Sequence, residues 1–169
     1  MTRPDSTEYA PYYEKYVSLV AEGEIVTTLG KQIEDTLGLL RGLNEAQGDL
    51  RYAPGKWSVK EVIGHLIDAE RIFAYRALRF SRNDRTPLHS FDENSYAANS
   101  NFGSRRLADI AEEFEHVRQS NLYLLKSLDG DAWTRRGVAS DNEISVRALA
   151  YIIAGHELHH VEIIRSRYL

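Results

Sequence analysis

The apolar residues of the chain recur every three to four positions in four long stretches, which is the period of an amphipathic helix. The four stretches cover residues 19–43, 58–82, 104–128 and 145–166. No segment alternates between apolar and polar residues over a useful length, so the pattern predicts an all-α protein without strands. Four helices of this length indicate a four-helix bundle, which we expect to form one domain over residues 1–169.

Serine residues stand where three of these helices should begin. Ser58 precedes the second helix, and Glu61 lies three residues further on, which is the spacing of a capping box. Ser104 and Ser145 can cap the third and fourth helices in the same way, because a serine hydroxyl accepts a hydrogen bond from the first free backbone amides.

The segments outside the helices differ in character. Residues 1–18 contain four tyrosines and two prolines, which predicts an irregular arm packed across the bundle. Residues 83–103 are rich in turn-forming residues and make a long connection between the second and third helices. Such loops often cover a site. A second loop over residues 129–142 precedes the last helix, so a simple up-down-up-down order is not assured.

Composition excludes several classes of function. The chain has 21 basic and 25 acidic residues and no basic stripe, which argues against nucleic acid as a partner. It has no apolar run of about 18 residues and no signal peptide at its start, so we expect a cytoplasmic protein without a membrane span. It has no cysteine, which excludes thiolate metal ligands and a protein thiol nucleophile. Any thiol chemistry must therefore use a thiol that the substrate brings.

Three histidines lie on apolar helix faces. His156 and His160 are one turn apart in the middle of the apolar face of the fourth helix, so their imidazoles point the same way. His65 lies within the apolar face of the second helix. Because an unpaired buried imidazole is costly and is a natural metal ligand, the pattern predicts that these three side chains bind one divalent metal. The alternative is a hydrogen-bonded histidine network without a physiological metal.

A set of three nitrogen ligands has chemical consequences. It leaves one or more coordination positions open, which is typical of a reactive metal site rather than a structural one. It suits zinc, nickel, copper, cobalt or iron and disfavours magnesium and calcium. Residues 156–160 also match the zinc-protease pattern H-E-x-x-H, but only nine residues follow, too few for the further ligand and substrate-binding structure that such enzymes need.

Three further polar residues, Glu157, Arg118 and Asn121, either take part in the site or have a structural or surface role. Glu157 is a candidate general base or supporting residue, although its position on the helical wheel favours exposure to solvent. Arg118 and Asn121 interrupt the apolar stripe of the third helix. They either face a cavity, where they could bind a substrate carboxylate, or belong to a buried structural network.

The remaining candidates have lesser expected roles. His159 lies at the edge of the ligand face and is expected to border the site rather than bind the metal. His89 and His116 have no partner in the sequence and are expected to be exposed. Glu61 and Asp68 lie within one turn of His65, so either could accept its ring N–H, although a cap and an ion pair are the simpler roles.

Two motifs in this chain resemble one family. The pattern W-S-x-x-E-x-x-x-H-L-x-D spans residues 57–68, and H-x-x-x-H spans residues 156–160. Together they are similar to the DinB/YfiT-like superfamily of metal-binding bundles, which is distinct from the DNA polymerase that shares the name DinB. The resemblance extends from about residue 20 to the end of the chain. It implies a four-helix bundle with a crossover connection and a metal site made by His65, His156 and His160.

The resemblance also implies a range of activities. Family members include metal-dependent transferases that join thiols such as bacillithiol or mycothiol to electrophiles, metal-dependent hydrolases, and proteins without an assigned reaction. Many are homodimers. The expectation for this chain is therefore one divalent metal, zinc or nickel, that activates a small-molecule thiol for attack on an electrophile, or activates water. The alternative is a non-catalytic, metal-stabilised module that binds a small molecule or a protein.

Overall fold

The computed structural model describes residues 2–169. In chain order its helices and strands are α1 (Glu14–Val17), α2 (Ile25–Arg41), α3 (Glu45–Gly48), α4 (Val59–Ser81), α5 (Glu93–Asn99), α6 (Leu107–Lys126), α7 (Gly130–Thr134), β1 (Arg136–Ala139), β2 (Asn142–Ser145) and α8 (Val146–Arg167). Short 3-10 helices cover Ser6–Glu8, Pro11–Tyr13 and Phe102–Ser104. None of the helices in residues 2–169 combines the length and apolar character that a membrane crossing requires.

The four long helices form the predicted four-helix bundle. Helix α4 packs against α6 and α8, and α2 packs against the same two helices from the other side. The order around the bundle is therefore α2, α6, α4 and α8, which places the consecutive long helices α2 and α4 diagonally. The connections over residues 42–58 and 127–145 join the diagonal pairs, α2 to α4 and α6 to α8, and their length makes this arrangement possible, because short loops would favour neighbouring helices.

Helix α8 is the most enclosed element of the bundle. Every residue from Ala148 to Glu157 is buried, on all sides of the helix rather than along one stripe. A helix that is buried all round sits inside the core, and its polar residues need partners within the protein. This position explains why two adjacent polar residues of α8, His156 and Glu157, are both enclosed.

Two predicted helix starts are confirmed. The Ser58 hydroxyl accepts a hydrogen bond from the Glu61 amide at 3.2 Å, and the Glu61 carboxylate accepts one from the Ser58 amide at 2.6 Å. These reciprocal bonds form the expected capping box at the start of α4. Ser145 caps α8, because its hydroxyl accepts a hydrogen bond from the Ala148 amide at 3.0 Å.

Two other predicted starts are wrong. Helix α6 begins at Leu107, and the Ser104 hydroxyl donates to the Asn101 carbonyl within the preceding 3-10 turn instead of capping the helix. Helix α2 begins at Ile25 rather than at residue 19, because Gly23 has a φ of +154° that interrupts the helical path. The Glu24 carboxylate then accepts a hydrogen bond from the Thr27 amide and caps the new start.

The prediction of a protein without strands is also wrong. Strands β1 and β2 form an antiparallel hairpin whose two turn residues, Ser140 and Asp141, both have positive φ. Four-residue strands are too short to show a clear alternation in the sequence. Leu88 pairs with the end of β1 on either side of Ala139, donating to the Val138 carbonyl and accepting from the Ser140 amide. The hairpin thereby fixes the start of the long connection between α4 and α6.

The N-terminal arm packs on α8, as predicted. The Tyr16 backbone lies so close to Gly155 that a Cβ atom at residue 155 would be 2.0 Å from the Tyr16 carbonyl oxygen. Only glycine fits at this crossing. Arg3 holds the arm together by donating to the Val17 carbonyl at 2.8 Å, and an ion pair between Glu8 and Arg147 joins the arm to α8.

Candidate metal centre

The three predicted ligands meet between α4 and α8. The Nε2 atom of His156 lies 3.0 Å from Nε2 of His65 and 3.1 Å from Nε2 of His160. All the candidate ligand atoms of this group lie within 4.8 Å of one another. His156 is buried at 7 % exposure, while His65 and His160 are partly exposed.

The donor set fits a single divalent transition metal. A tetrahedral zinc ion with bonds of about 2.0–2.1 Å separates its nitrogen ligands by roughly 3.3 Å, close to the two separations between these atoms. Hydrogen bonding alone satisfies the arrangement poorly, because an imidazole nitrogen offers either one N–H or one lone pair. The Nε2 atom of His156 faces two other ring nitrogens, and one cation can satisfy all three.

The protein holds these imidazoles in the form that binds a metal. Burial lowers the pKa of His65 to about 4, and Glu93 opposes this only in part. Burial, together with the neighbouring positive charges of other histidines and Lys15, lowers the pKa of His160 to about 3. The pKa of His156 is lowered well below its ordinary value for the same reasons. All three rings are therefore neutral near pH 7 and can donate a lone pair.

Aromatic side chains fix the rings of the cluster from outside. The Trp57 ring lies 5.0 Å from the His65 ring, between their centroids. The Tyr16 ring meets the His156 ring edge-on at 5.2 Å, and Phe73 meets the same ring at 6.1 Å. This packing restricts rotation of the imidazoles and gives the site an apolar surround.

The cluster opens into a cavity of about 420 Å³. All three histidines line it, so the ligand atoms have protein on one side and accessible space on the other. Six aromatic side chains form most of the remaining wall: Tyr12, Tyr13, Tyr16, Trp57, Phe73 and Phe91. Three of these come from the N-terminal arm and its short helices. A cavity of this size and character can hold a small, largely apolar molecule beside the cluster.

The other histidines lie where the sequence predicted. His159 lines the same cavity, and its ring packs edge-on against those of His160 and Tyr16 at 5.1 Å and 5.4 Å. It is absent from the group of converging ligand atoms within residues 2–169. His89 and His116 are exposed. His159 therefore borders the site.

The expectation that Glu157 faces solvent is wrong. Its side chain is 1 % exposed, and it accepts hydrogen bonds from Thr36 at 2.6 Å and from Arg118 at 2.8 Å. Sequence position misled here because α8 is buried on every side. Glu157 is not among the residues that line the cavity. Its carboxylate belongs to a polar network on another face of the helix, because consecutive helical residues point about 100° apart.

Arg118 and Asn121 belong to that network rather than to the cavity wall. Arg118 makes two hydrogen bonds of 2.7 Å to the two carboxylate oxygens of Glu70, and one of 3.0 Å to the Leu29 carbonyl. Asn121 donates to Glu70 at 3.2 Å. The prediction that both residues reach a substrate is thus corrected by their placement, since neither lines the cavity. The interpretation as a buried network, which the sequence left open, describes them.

Glu61 and Asp68 have the simpler of their two expected roles. Glu61 caps α4 and also accepts a hydrogen bond from Arg51 at 2.9 Å. Asp68 lies 3.9 Å from Arg71, an ion pair along the helix surface. Burial raises the pKa of Asp68, and the Arg71 charge opposes that rise.

Three polar residues of the cavity wall were not predicted: Arg76, Glu93 and Ser140. Arg76 could have been found, because it lies on α4 between the buried residues Phe73 and Ala77 and interrupts an apolar stripe as Arg118 does. Ser140 could not, since it is in the turn of the unpredicted hairpin. Glu93 lies at the start of α5 inside the long connection, where the sequence has no periodicity to orient a side chain.

Comparison with known proteins places this arrangement in a family. The sequence profile of the DinB superfamily matches residues 28–164, which include all three histidines. The chain belongs to the DinB superfamily. No curated protein matches the sequence significantly.

Two solved structures resemble this DinB protein in fold. YfiT from Bacillus subtilis, described as a "probable metal-dependent hydrolase with an unusual four-helix bundle topology", is 16 % identical with a TM-score of 0.71. The match covers 96 % of this chain and 89 % of YfiT. A mycothiol-dependent maleylpyruvate isomerase is 13 % identical with a TM-score of 0.69, over 86 % of this chain and 61 % of the isomerase. The TM-scores show that this chain shares its fold with both proteins, and at identities this low the comparison shows the fold alone.

Proposed function

We propose that this protein is a metal-dependent enzyme that activates a low-molecular-weight thiol, or water, at the three-histidine site. The observation that carries the proposal is the convergence of three neutral imidazole nitrogens at the wall of an aromatic cavity. A DinB fold shared with a metal-dependent hydrolase and a thiol-dependent isomerase supports it. Zinc and nickel are the metals we expect, because both accept an all-nitrogen ligand set.

The residues of the chain divide the work of such a reaction. His65, His156 and His160 would hold the ion, which would supply a lowered pKa to a thiol or water bound beside it. The aromatic wall excludes bulk water and favours the apolar part of a substrate. Because the chain has no cysteine, the substrate must supply any sulfur nucleophile. Thiol transfer is the form we favour, and hydrolysis is the second form of the same proposal.

The test begins with metal content measured by mass spectrometry on tag-free protein. The wild type should contain about one equivalent of a transition metal, and His65→Ala and His156→Ala should contain little. His159→Ala is the matched control, because His159 lines the cavity without joining the cluster. It should retain the metal. Loss of metal in this control alone, with retention in the other variants, would contradict the proposed ligand set.

Turnover is the second stage of the test. The metal-loaded wild type is screened with small thiols paired with electrophiles and with ester and amide substrates, beside His156→Ala. Turnover that survives in the metal-free variant would contradict an enzymatic role for the metal. Stoichiometric metal without turnover of any substrate would favour a non-catalytic binding module. No metal after attempted reconstitution would favour a hydrogen-bonded histidine network.

Assembly and location stay predictions. We propose a cytoplasmic homodimer that folds as one domain, on the resemblance to family members. Sedimentation equilibrium of the metal-loaded protein tests the dimer, and a monomer at micromolar concentration would contradict it.

A further inference from the structure

Arg76 is a buried cation without a carboxylate partner. Its side chain is 2 % exposed, yet no carboxylate within residues 2–169 lies within ion-pair distance of it. Arg118, which is buried to the same degree, has two carboxylates around it. Arginine is rarely buried unless it is paired, because removing the charge from water is costly. The missing partner is therefore the feature that needs an explanation.

The contacts that Arg76 does make are to neutral groups. Its Nη2 atom donates to the His89 carbonyl at 3.0 Å and to the Ser140 hydroxyl at 3.1 Å. The Tyr13 hydroxyl is a third neighbour: burial raises the pKa of Tyr13, and the Arg76 charge counteracts part of that rise. These contacts hold the guanidinium in place, and they leave other N–H donors of the planar group available to an incoming acceptor.

Arg76 and the three histidines share one cavity. Arg76 and the histidines all line the 420 Å³ space, and the Phe73 ring is near both Arg76 and His156. The Arg76 Cζ atom is 5.8 Å from the Phe73 ring centroid, and that centroid is 6.1 Å from the centroid of the His156 ring. The guanidinium and the His156 ring are therefore no further apart than these two distances combined. One small molecule can reach both.

The charge of the cavity indicates which anion it can accept. Arg76 is the buried cation of the wall, and Glu93 at the exposed rim carries the opposite charge. No ion pair within residues 2–169 joins the two. A cavity with a single guanidinium and a separate carboxylate at its rim suits a singly charged ligand better than a phosphate, which calls for more positive charge. The aromatic surround suits an apolar body attached to that charge.

We propose that Arg76 binds the carboxylate of a small, otherwise apolar ligand whose other end lies at the three-histidine site. The carboxylate contact stands on the geometry of Arg76 alone, whereas the placement of the other end rests on the proposed function. Arg76 thereby selects carboxylate-bearing substrates over neutral ones of the same length. The planar guanidinium favours a carboxylate over a neutral group, because it can donate two parallel hydrogen bonds to the two carboxylate oxygens.

The first experiment compares two thiols that differ only in their far end. Full-length protein loaded with Co²⁺ is titrated with 6-mercaptohexanoate and with 6-mercaptohexanol, by calorimetry and by the absorption of the metal. The wild type should bind the carboxylate roughly ten-fold or more tightly, which is the usual scale for a hydrogen bond to a charged group. Arg76→Gln should remove this preference. Equal affinity of the two thiols in the wild type would overturn the proposal.

Three matched variants control for indirect effects. Arg135→Gln removes an arginine that donates to the Ser81 carbonyl and does not line the cavity. Ser140→Ala removes one neutral contact of Arg76. Both should keep the preference within about three-fold, and Glu93→Gln should keep or increase it. Loss of the preference in Arg135→Gln as fully as in Arg76→Gln would show a general effect of destabilisation and overturn the assignment.

A second measurement separates this proposal from the proposed function. Hexanoate, which has no thiol, is titrated into zinc-loaded protein and followed by the NMR signal of the Arg76 Nε–H, assigned with Arg76→Lys. A shifted signal supports the carboxylate site. If the signal shifts but neither thiol perturbs the Co²⁺ spectrum, the carboxylate site stands and only the proposed thiol activation is contradicted. An unmoved signal overturns the carboxylate site, and this holds even if Arg76→Gln does not fold.

Discussion

Two neighbouring residues of α8, His156 and Glu157, belong to polar clusters that are built in opposite ways. His156 faces a cavity in which three neutral imidazoles converge, and within residues 2–169 none of the three forms an ion pair with a carboxylate. Glu157 faces the interior, where Arg118 and Glu70 complete an ion network. In the first cluster the ring nitrogens converge on one another, and in the second each charged group is paired with an opposite charge of the protein.

This difference indicates that the histidine cluster suits an added ligand, whereas the Arg118 network stabilises the fold. In the ion network the guanidinium of Arg118 bridges α4 and α8 from its position on α6, and also bonds to α2 through the Leu29 carbonyl. Burial acts to lower the pKa of Arg118, but the Glu70 and Glu157 carboxylates outweigh it and raise the pKa, so Arg118 stays charged. All four long helices are thereby connected at one point. In the histidine cluster the three imidazole nitrogens face one another, and hydrogen bonds within the cluster cannot satisfy all of them.

Breaking the ion network should have the largest effect on stability. Arg118→Met leaves two buried carboxylates without their partner, which typically costs about 3–5 kcal/mol of unfolding free energy. Urea denaturation of the metal-loaded protein measures the loss. Arg71→Met is the control, because Arg71 pairs with Glu113 at the surface and should matter by less than about 1 kcal/mol. Equal effects of the two substitutions would contradict the structural role assigned to the network.

The adjacent pair on α8 allows a sharper separation. His156→Ala should weaken metal binding by more than about 100-fold, since it removes the proposed ligand whose Nε2 lies near the other two. Glu157→Gln should keep the metal affinity within about ten-fold and lower stability by about 1–3 kcal/mol, because it weakens a buried charged hydrogen bond. Isothermal titration with zinc and urea denaturation measure the two quantities. A Glu157→Gln protein that loses metal as fully as His156→Ala would mean that the two clusters act as one.

The same two residues show how far the sequence could predict the site. His156 and His160 were identified because i, i+4 spacing within a helix is local, and any helix containing them presents both on one face. Glu157 was misplaced because the helical wheel assumes one buried face, whereas three other helices and the arm enclose α8. The partners of Arg118 are distant in sequence, on α4 and α8. Local periodicity flags such a residue without identifying what it contacts.

The fold was predictable in its long elements and less so in its short ones. The four long helices follow from an apolar period repeated over many turns, and the capping box of α4 fixes its start. Each strand of the hairpin has four residues, which is too few for an alternation of apolar and polar positions to be recognised in the sequence. The cavity wall depends on the hairpin and the arm, and for this reason Ser140 was not found.

Moving the arm should disturb the histidine cluster more than the ion network. Gly155→Ala places a Cβ atom against the Tyr16 backbone, and we expect a loss of about 1–3 kcal/mol together with weaker metal binding, because Tyr16 packs on His156. Gly38→Ala in α2 is the matched control, since no atom lies within 4 Å of the added Cβ. It should be neutral or stabilising by up to about 1 kcal/mol. Thermal unfolding and zinc titration measure both variants, and an unaffected Gly155→Ala protein would contradict the close crossing.

The metal-free protein should also become less stable as the pH falls below about 6.5. The pKa values of about 4 for His65 and about 3 for His160 lie below the ordinary value of about 6.5 that applies to the unfolded chain. Between these values the unfolded state binds more protons than the folded state, so the free energy of unfolding falls as the pH falls. The stability is therefore complete above about pH 6.5 and declines towards pH 4.

Removing these two imidazoles should flatten that decline. The doubly substituted protein His65→Ala, His160→Ala, treated with a chelator like the wild type, should show a shallower slope between pH 7 and 5, by at most about 1.4 kcal/mol per pH unit for each imidazole. This window lies above the range in which ordinary carboxylates titrate, so the ion pairs at the surface contribute little to it. Zinc should leave the slope above pH 6 in the wild type nearly unchanged, because the imidazoles of the folded protein are already unprotonated there and the slope comes from proton binding by the unfolded chain. Parallel slopes in the two metal-free proteins would show that the histidines are as accessible to protons in the folded state as in the unfolded one.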